Sequence, residues 1–224
     1  MGQALARIEI AAKAALSSLA ATRWLAAAFL VALCLALYLP GFVSLPVTDR
    51  DEARFAQATK QMLETGNYID IRFQNEPRYK KPVGIYWLQA LSVTALSPDR
   101  LTEIWAYRVP SLLGITLAVL LTWWAARPIF GRETALLAAI LLASAFTLSL
   151  EARIAKSDAV LLATIVLAQG ALARLYLFRR SKRAMAGIAA LFWIALGLGI
   201  LVKGPVAPGL ALLTAIPVLI LDRY

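Results

Sequence analysis

The sequence predicts an all-α integral membrane protein, a bundle of about six transmembrane helices, on three observations. Of the 224 residues, 61% are hydrophobic, whereas a soluble domain is close to half apolar. The mean hydropathy is +0.71. Long apolar runs with few charges recur along the chain, and runs of this length are typical of membrane-spanning helices.

Six apolar runs account for the predicted spans, at residues 24–42, 107–126, 134–150, 159–178, 185–202 and 205–221. The most basic short loop, 178–183, is predicted to be cytoplasmic, because Lys and Arg are enriched on that side of membranes. Counting spans from this loop places 43–106, 151–158 and 203–205 outside and both chain ends inside. We interpret residues 1–224 as one transmembrane domain.

The amino-terminal segment, residues 1–23, contains Arg7, Lys13 and Arg23 among alanines and leucines. It predicts a short amphipathic helix on the cytoplasmic side. The run that follows carries no charge, is long for a signal-peptide core and precedes no clear cleavage site, so we interpret it as an uncleaved first span. The chain stops three residues after its last apolar run, and we expect it to be the amino-terminal part of a longer protein.

The first outer loop begins with the most polar stretch of the chain, where Thr48 or Asp49 is placed to cap a helix over residues 50–65 and Gly66 to end it. This helix is too short to span the membrane and suits the interface. Its apolar face is predicted to contain Phe55, Ala58, Met62 and Leu63. Residues 82–97 have the length of a short span, but the topology requires that they do not cross. They are predicted to form a second interfacial helix.

Composition limits the available chemistry. The chain has no histidine, so a general base has to be a carboxylate, a tyrosine or a lysine. Cys34 is the single cysteine, which excludes a disulfide or a thiolate metal site within one chain. The net charge of +10 is explained by cytoplasmic loops, so nucleic acid is not an expected partner. No glycine-rich nucleotide-binding loop is present.

The acidic cluster after residue 48 has two interpretations. Acids favour the first turn of a helix, and Asp49 is a suitable cap. Alternatively, Asp51 or Glu52 faces a cleft at the membrane surface, where a carboxylate deprotonates an acceptor or binds a divalent metal. Arg54, three residues after Asp51, is placed to orient that carboxylate or to contact a phosphate.

Two further groups carry cations. Lys80 and Lys81 precede Pro82, a residue suited to the first helical position; they either snorkel beside the helix or hold a phosphate at its amino end. Lys203, between two apolar runs, is likewise either a snorkelling lysine or a phosphate ligand.

The second outer segment, EARIAKSD at 151–158, places four charges in a short loop between apolar runs, where ionisable groups are costly. Asp158 either caps the next helix or, if the loops converge, works with Asp51 on a metal or a substrate. Arg153 is a further candidate for the phosphate.

At these residues the chain resembles the phospholipid-carrier-dependent glycosyltransferases of the GT-C fold, which include the lipid A aminoarabinose transferases and the protein O-mannosyltransferases. The resemblance covers most of the chain and is carried by RDEARFA at 50–56, MLETGNY at 62–68, YKKPVGIYWL at 79–88, RIAKSD at 153–158 and LVKGP at 201–205. It is closest to the aminoarabinose-transferase branch. Members of this group continue into more spans and often an outer soluble domain.

The resemblance implies a transferase that takes a sugar from a polyprenyl-phosphate donor and passes it to lipid A, a protein or another glycan on the periplasmic face of the bacterial inner membrane. It implies that Asp51 is the first-loop acid, acting as a catalytic base or as an acceptor-positioning group, that Lys81 meets the donor phosphate and that Asp158 is the second-loop acid. A divalent metal is a candidate cofactor, with Asp51 and Asp158 as candidate ligands. However, Lys80 stands where that branch often has a metal-linked glutamate.

Combining residues and resemblance, we expect catalytic roles for Asp51, Glu52 and Asp158. We expect the donor phosphate to be bound by Arg54, Lys80, Lys81, Arg153 and Lys203. One rival is a transporter or flippase of polyprenyl lipids, which needs charged or broken helices near the midplane. Arg108 and Arg174 are the only charged residues in the predicted spans, and both lie near span ends, which disfavours this rival. Another rival is a non-catalytic membrane subunit.

Overall fold

A computed structural model describes residues 2–177 and 182–222, and within them it contains ten α-helices and two short β-strands. The helices are α1 (Gly2–Leu19), α2 (Arg23–Tyr38), α3 (Arg50–Thr65), α4 (Gly84–Leu96), α5 (Ile104–Phe130), α6 (Arg132–Ala143), α7 (Phe146–Glu151), α8 (Asp158–Leu177), α9 (Lys182–Lys203) and α10 (Val206–Leu221). The strands are β1 (Arg72–Phe73) and β2 (Glu76–Pro77). Residues 178–181 of the predicted basic loop lie outside the described residues.

Helices α5, α8 and α9 are long and apolar enough to cross a membrane. The number reaches four if α1 and α2, which are bent by 111° at a short break, form one span. Helices α2 and α10 have 16 residues each, fewer than the roughly 20 of a typical span. Among the described residues, length and composition therefore support fewer spans than the six predicted. The bend sets α1 almost perpendicular to α2, the orientation expected of the predicted surface helix.

The apolar run at 134–150, predicted as one span, is not one continuous helix, because the structure breaks it into α6 and α7. Ala145, between them, has an extended backbone, with φ −65° and ψ 125°. The hydroxyl of Tyr38 donates a buried hydrogen bond of 2.8 Å to the carbonyl of Ala143. In a continuous helix that carbonyl would accept the amide of Thr147. The Tyr38 hydroxyl thus satisfies a helix end inside the bundle.

Helix α5 lies at the centre of the bundle and packs against α2, α4, α6 and α8. It approaches the start of α8 closely. A β-carbon placed on Gly114 would lie 2.9 Å from the carbonyl carbon and oxygen of Ala159. Only a residue without a side chain fits between these two backbones, so Gly114 sets how closely α8 begins beside α5.

Residues 43–106, the first of the three segments predicted to lie outside, contain the two helices that the sequence predicts. Asp49 caps α3, and Gly66 ends it in a left-handed conformation with φ 68°. The predicted apolar face of α3 packs against α4, where Phe55 and Tyr86 place their ring centroids 5.4 Å apart. Beneath them, the hydroxyl of Thr59 donates a buried hydrogen bond of 2.7 Å to a side chain of α4. The two helices therefore pack as one unit, and α4 in turn contacts α5 and α9.

A short antiparallel hairpin, β1–β2, connects α3 to α4 and was not expected from the sequence. Its turn contains Gln74, a non-glycine residue with φ 57°. The side chain of Gln61 on α3 holds this turn: its amide group donates to the Gln74 carbonyl at 3.0 Å, and its oxygen accepts the Gln74 amide at 2.7 Å. The hairpin therefore fixes the chain that leads to Lys80 and Lys81.

We predict that Gly114→Ala lowers the free energy of unfolding by about 1–3 kcal/mol, the usual cost of overpacking, because its methyl group would overlap the α8 backbone. Gly187→Ala is the matched control, since a β-carbon at Gly187 in α9 meets no atom within 4 Å. Thermal unfolding of the detergent-purified protein measures both. A Gly114→Ala protein as stable as the control would contradict the close packing of α5 on α8.

Candidate active site

The amino end of α3 is tied to the second outer segment through Asp49. One oxygen of its carboxylate, Oδ1, accepts the backbone amides of Asp51 at 2.7 Å and Glu52 at 3.1 Å. The other, Oδ2, accepts a hydrogen bond of 2.7 Å from the ammonium group of Lys156. This hydrogen bond, assisted by the helix amides, holds the pKa of Asp49 below its usual value. Residues 43–106 and 151–158 therefore meet at this point.

Asp51 presents its carboxylate to the outside, with 55% of the side chain exposed. Its neighbour Arg54, one turn along α3, places a guanidinium nitrogen 3.6 Å from the carboxylate. Lys156 lies within electrostatic range of the same carboxylate. Asp51 is thus an accessible anion whose position is restrained by the helix and by a cation on the same face, an arrangement that suits a general base.

Glu52 has the opposite environment and is fully buried, as is Arg108 of α5. The Arg108 guanidinium donates two hydrogen bonds to the Glu52 carboxylate, at 2.8 Å and 3.2 Å. The backbone amide of Ala155 donates a third, at 2.9 Å. The remaining Arg108 donors bind three carbonyls of the chain between α2 and α3, those of Phe42, Leu45 and Pro46.

This buried pair therefore joins α3, α5, the connection after α2 and the second outer segment. Every buried polar atom of the Glu52 and Arg108 side chains has a hydrogen-bond partner, as buried charges require. Both Glu52 oxygens are bound, so the structure offers neither of them to a ligand at the surface. The Glu52–Arg108 pair is therefore a structural support, which holds these segments together below the exposed residues of the site.

Glu151 is the last residue of α7. Its Oε2 is buried and has no hydrogen-bond partner within residues 2–177 and 182–222. Burial, reinforced by the negative charge of Asp158, raises the pKa of Glu151, against the opposing effects of Lys156 and Lys203. The electrostatic neighbours of Glu151 thus come from both outer segments and from the end of α9.

Asp158 and Lys203 bring the second and third outer segments together. The Lys203 ammonium group donates a hydrogen bond to the Asp158 carboxylate at the start of α8. The end of α9 also approaches α4, because a β-carbon on Gly84 would lie 2.6 Å from the carbonyl oxygen of Leu201. The chain that carries Lys80 and Lys81 therefore leads into a helix packed directly against the Lys203 segment.

Lys80 and Lys81 lie immediately before this contact. Lys80 is exposed and Lys81 is half-buried, and within the described part of the chain neither has a carboxylate or hydrogen-bond partner. Arg78, by contrast, is held in place, since its Nε donates to the Tyr86 hydroxyl at 3.2 Å and its guanidinium lies over the Phe55 ring at 5.4 Å. Two cations without a counter-charge at a helix amino end attract an anion.

Arg153 is not brought to this cluster. Its guanidinium donates to the carbonyls of Leu37 and Pro40 at the end of α2, at 2.6 Å and 2.9 Å. It also binds the carbonyl and hydroxyl of Ser149. Arg153 thus satisfies the last carbonyls of α2, a structural role that basic residues often play at helix ends.

The candidate metal ligands Asp51 and Asp158 are not part of a metal-binding group. Among residues 2–177 and 182–222, no set of three or more carboxylate or thiol side chains is placed to hold a metal ion. Both acids are instead paired with cations, Arg54 and Lys203. The described residues therefore offer no set of three protein ligands for a metal ion at these two acids.

Sequence reasoning gave no role to Arg108 or Lys156. A signal for Arg108 was available, because an arginine inside an apolar run implies a buried partner. That partner, 56 residues away in the chain, could not be chosen among the available acids. In the sequence Lys156 is one of four charges in its loop, and its contact with Asp49 depends on how the loops fold.

The fold and the site define a multi-pass membrane protein with carboxylates and free lysines gathered at one end of a helical bundle. The family described as "Dolichyl-phosphate-mannose-protein mannosyltransferase" matches residues 22–222, and the chain belongs to this family. The resemblance to GT-C glycosyltransferases seen in the sequence is confirmed by this match.

Curated relatives carry related names. The undecaprenyl phosphate-alpha-4-amino-4-deoxy-L-arabinose arabinosyl transferase 1 of Pseudomonas fluorescens strain Pf0-1 is 29% identical over 208 residues, or 92% of this chain and 36% of the relative. The protein of the same name from strain Pf-5 is 33% identical over 172 residues, 75% of this chain and 30% of the relative. The chain thus spans about a third of the length of these relatives.

Solved structures of a related name have the same fold as this chain. The crystal structure of ArnT from Cupriavidus metallidurans in the apo state has a TM-score of 0.75 and 26% identity, covering 89% of this chain and 36% of that one. The undecaprenyl phosphate-bound structure of the same protein gives a TM-score of 0.79 at 23% identity, covering 88% of this chain and 36% of that one. The predicted all-α membrane fold of the GT-C type is therefore confirmed.

We predict that Glu52→Gln lowers the free energy of unfolding by about 3–5 kcal/mol, because it leaves the buried Arg108 guanidinium without its counter-charge. Glu64→Gln serves as the control, since that ion pair, with Lys60 at 3.6 Å, is partly exposed and is worth less than about 1 kcal/mol. Denaturant unfolding in detergent gives both values. Equal effects of the two substitutions would contradict a supporting role for Glu52.

Proposed function

We propose that the protein transfers a sugar from a polyprenyl-phosphate donor to an acceptor at the outer surface of the membrane. The observation that carries the proposal is the convergence of an accessible acid, Asp51, with free and paired lysines at one end of apolar helices. A donor of this class has an anionic phosphate and a long hydrocarbon chain. Such a molecule suits a site where cations lie at the edge of a lipid-facing bundle.

The relatives support the donor class. Their names include undecaprenyl phosphate as the carrier of an amino sugar, and one similar structure contains bound undecaprenyl phosphate. We therefore propose an undecaprenyl-phosphate-linked pentose or hexose as the donor of this protein. The topology predicted from the basic loops further supports a site on the periplasmic face of a bacterial inner membrane.

In the proposed reaction, Asp51 accepts a proton from the acceptor hydroxyl or amine as that group attacks the anomeric carbon. The new bond to the anomeric carbon forms while the bond from that carbon to the phosphate oxygen breaks. The products are the glycosylated acceptor, protonated Asp51 and polyprenyl phosphate. Attack opposite the leaving group inverts the anomeric configuration.

Negative charge develops on the phosphate as the sugar leaves, and cations placed there lower the barrier. We assign Lys81 to this role first, because it is half-buried and lacks a counter-charge, with Lys80 beside it. Lys203 contributes from the other side, held by Asp158. Arg54 keeps the Asp51 carboxylate oriented.

Four predicted residues receive different roles in this proposal. Arg54 orients Asp51 instead of binding the phosphate, and Asp158 holds Lys203 instead of reacting. Glu52 positions the loops instead of reacting, because its oxygens are bound by Arg108 and Ala155. Arg153 is left out of the phosphate site, because its hydrogen bonds are committed to the end of α2 and to Ser149.

The test separates binding from chemistry in the complete protein. Native mass spectrometry with undecaprenyl phosphate is expected to show about 10- to 100-fold weaker binding for Lys81→Ala, the loss of one charge-assisted contact. Asp51→Asn is expected to bind as well as wild type but to transfer the sugar at least about 100-fold more slowly, the usual effect of removing a general base. The transfer assay follows labelled aminoarabinose from its undecaprenyl-phosphate donor into membrane glycolipids.

Lys60→Ala is the matched control, because Lys60 is a half-buried lysine of the same loop paired with Glu64. Its binding and transfer are expected to stay at wild-type level. Transfer at the wild-type rate by Asp51→Asn would contradict the catalytic role. Equal binding by Lys81→Ala and Lys60→Ala would contradict the phosphate site and favour a non-catalytic subunit.

A further inference from the structure

A second polar site lies at the other end of the bundle. A pocket of about 290 Å³ opens between the α1–α2 turn, the carboxyl-terminal part of α5 and the start of α6. Three arginines and two tryptophans contribute to its lining: Arg23, Arg127, Arg132, Trp24 and Trp123. A cavity of this size accommodates a lipid headgroup, although not a whole lipid.

The pocket is far from the proposed active site. Arg108, which supports that site, and Arg127, which lines the pocket, are both on α5 and are separated by about 28 Å at 1.5 Å per residue. The sequence-based topology places this end of α5 on the cytoplasmic side. The leaflet that faces the cytoplasm is where basic pockets between helices meet anionic headgroups.

The positive charge of the pocket is not neutralised by its lining. No carboxylate is among the residues that line it. The nearest acid in sequence, Glu133, accepts a hydrogen bond of 2.7 Å from the hydroxyl of Ser17. Among the ion pairs of residues 2–177 and 182–222, none includes Arg23, Arg127 or Arg132. Arg127 lies over the ring of Trp123 at 5.1 Å, so its guanidinium is oriented although it has no counter-ion.

Backbone groups add to this charge. Helix α2 begins at the pocket, and the Thr22 hydroxyl oxygen accepts the amide of Leu25 at 3.2 Å. The amides of Arg23 and Trp24, in the same first turn, have no acceptor within the described part of the chain. The positive end of the α2 dipole therefore lies at the pocket that the three arginines line.

Apolar side chains surround the charged centre. Trp24 is 80% exposed, and Phe130, at the same end of α5, is 64% exposed. Tryptophan is enriched where helices leave the hydrocarbon region of a membrane. The site thus combines a cationic centre with an apolar rim suited to acyl chains. This combination is complementary to an amphipathic anion.

We propose that this pocket binds the phosphate of an anionic phospholipid from the cytoplasmic leaflet. Arginine is suited to the role because its planar guanidinium binds two phosphate oxygens at once. The same chemistry would accept free phosphate, and the experiment distinguishes the two sources. The proposal goes beyond the sugar transfer and depends on none of its residues.

The test is native mass spectrometry of the complete protein with dioleoylphosphatidylglycerol, and with dioleoylphosphatidylcholine as the zwitterionic control. We expect wild type to prefer phosphatidylglycerol by about 10-fold or more, as one or two charge-assisted contacts would give. The triple variant Arg23→Gln/Arg127→Gln/Arg132→Gln is expected to lose this preference. A control with the same loss of charge, Lys60→Gln/Arg72→Gln/Arg100→Gln, is expected to keep it.

Two further variants allow the lipid preference to be interpreted if the triple variant folds poorly or if the lipid binds elsewhere. Arg23→Gln/Arg132→Gln leaves the Arg127–Trp123 contact intact and is expected to reduce the preference even if the triple variant folds poorly. Lys81→Ala is expected to leave the preference unchanged, which separates this pocket from the proposed active site. Inorganic phosphate is expected to compete for the pocket, whereas phosphate binding without any preference for phosphatidylglycerol would overturn the lipid assignment. An equal preference in wild type and both arginine variants would overturn the proposal.

Discussion

The buried ion pair between Glu52 and Arg108 is the interaction on which the rest of the site depends. It connects the first interfacial helix to the central span, and through the Ala155 amide it also holds the second outer segment. A buried pair of this kind adds little net stability compared with an apolar core, but it is costly to break. Its effect is therefore to fix one arrangement of the loops, with Asp51 outward and Glu52 inward on consecutive positions of α3.

Above this support, the charges fall into two groups. Lys156 and Lys203 are bound by Asp49 and Asp158, so they join segments of the chain while remaining close to the surface. Lys80 and Lys81 have no such partner among the described residues. Because the paired charges nearly cancel, the free lysines determine the local field, and this field favours an anion at the point where α4 meets the end of α9.

The sequence predicts those features of the fold and the site that depend on residues close together in the chain. Asp49 and Gly66 mark the ends of α3 because capping depends on a few neighbouring residues. The break between α6 and α7 could not be found, since it depends on the Tyr38 hydroxyl, 105 residues from Ala143. For the same reason, the sequence indicates that acids and lysines gather at the site but not the environment of each one. Which acid is buried, which lysine is paired and the binding of Arg153 to α2 all depend on contacts between distant segments.

The central claim is that outer segments distant in sequence meet at one end of the bundle, and cross-linking in native membranes tests it most directly. Asp49→Cys/Lys156→Cys, in a Cys34→Ser background, replaces two side chains whose Oδ2 and Nζ atoms are 2.7 Å apart. A short bifunctional thiol reagent is expected to join them rapidly. The control pair Asp49→Cys/Glu133→Cys, at opposite ends of the bundle, is expected to remain unlinked. Failure of the first pair to link, or equal linking of both pairs, would contradict the convergence.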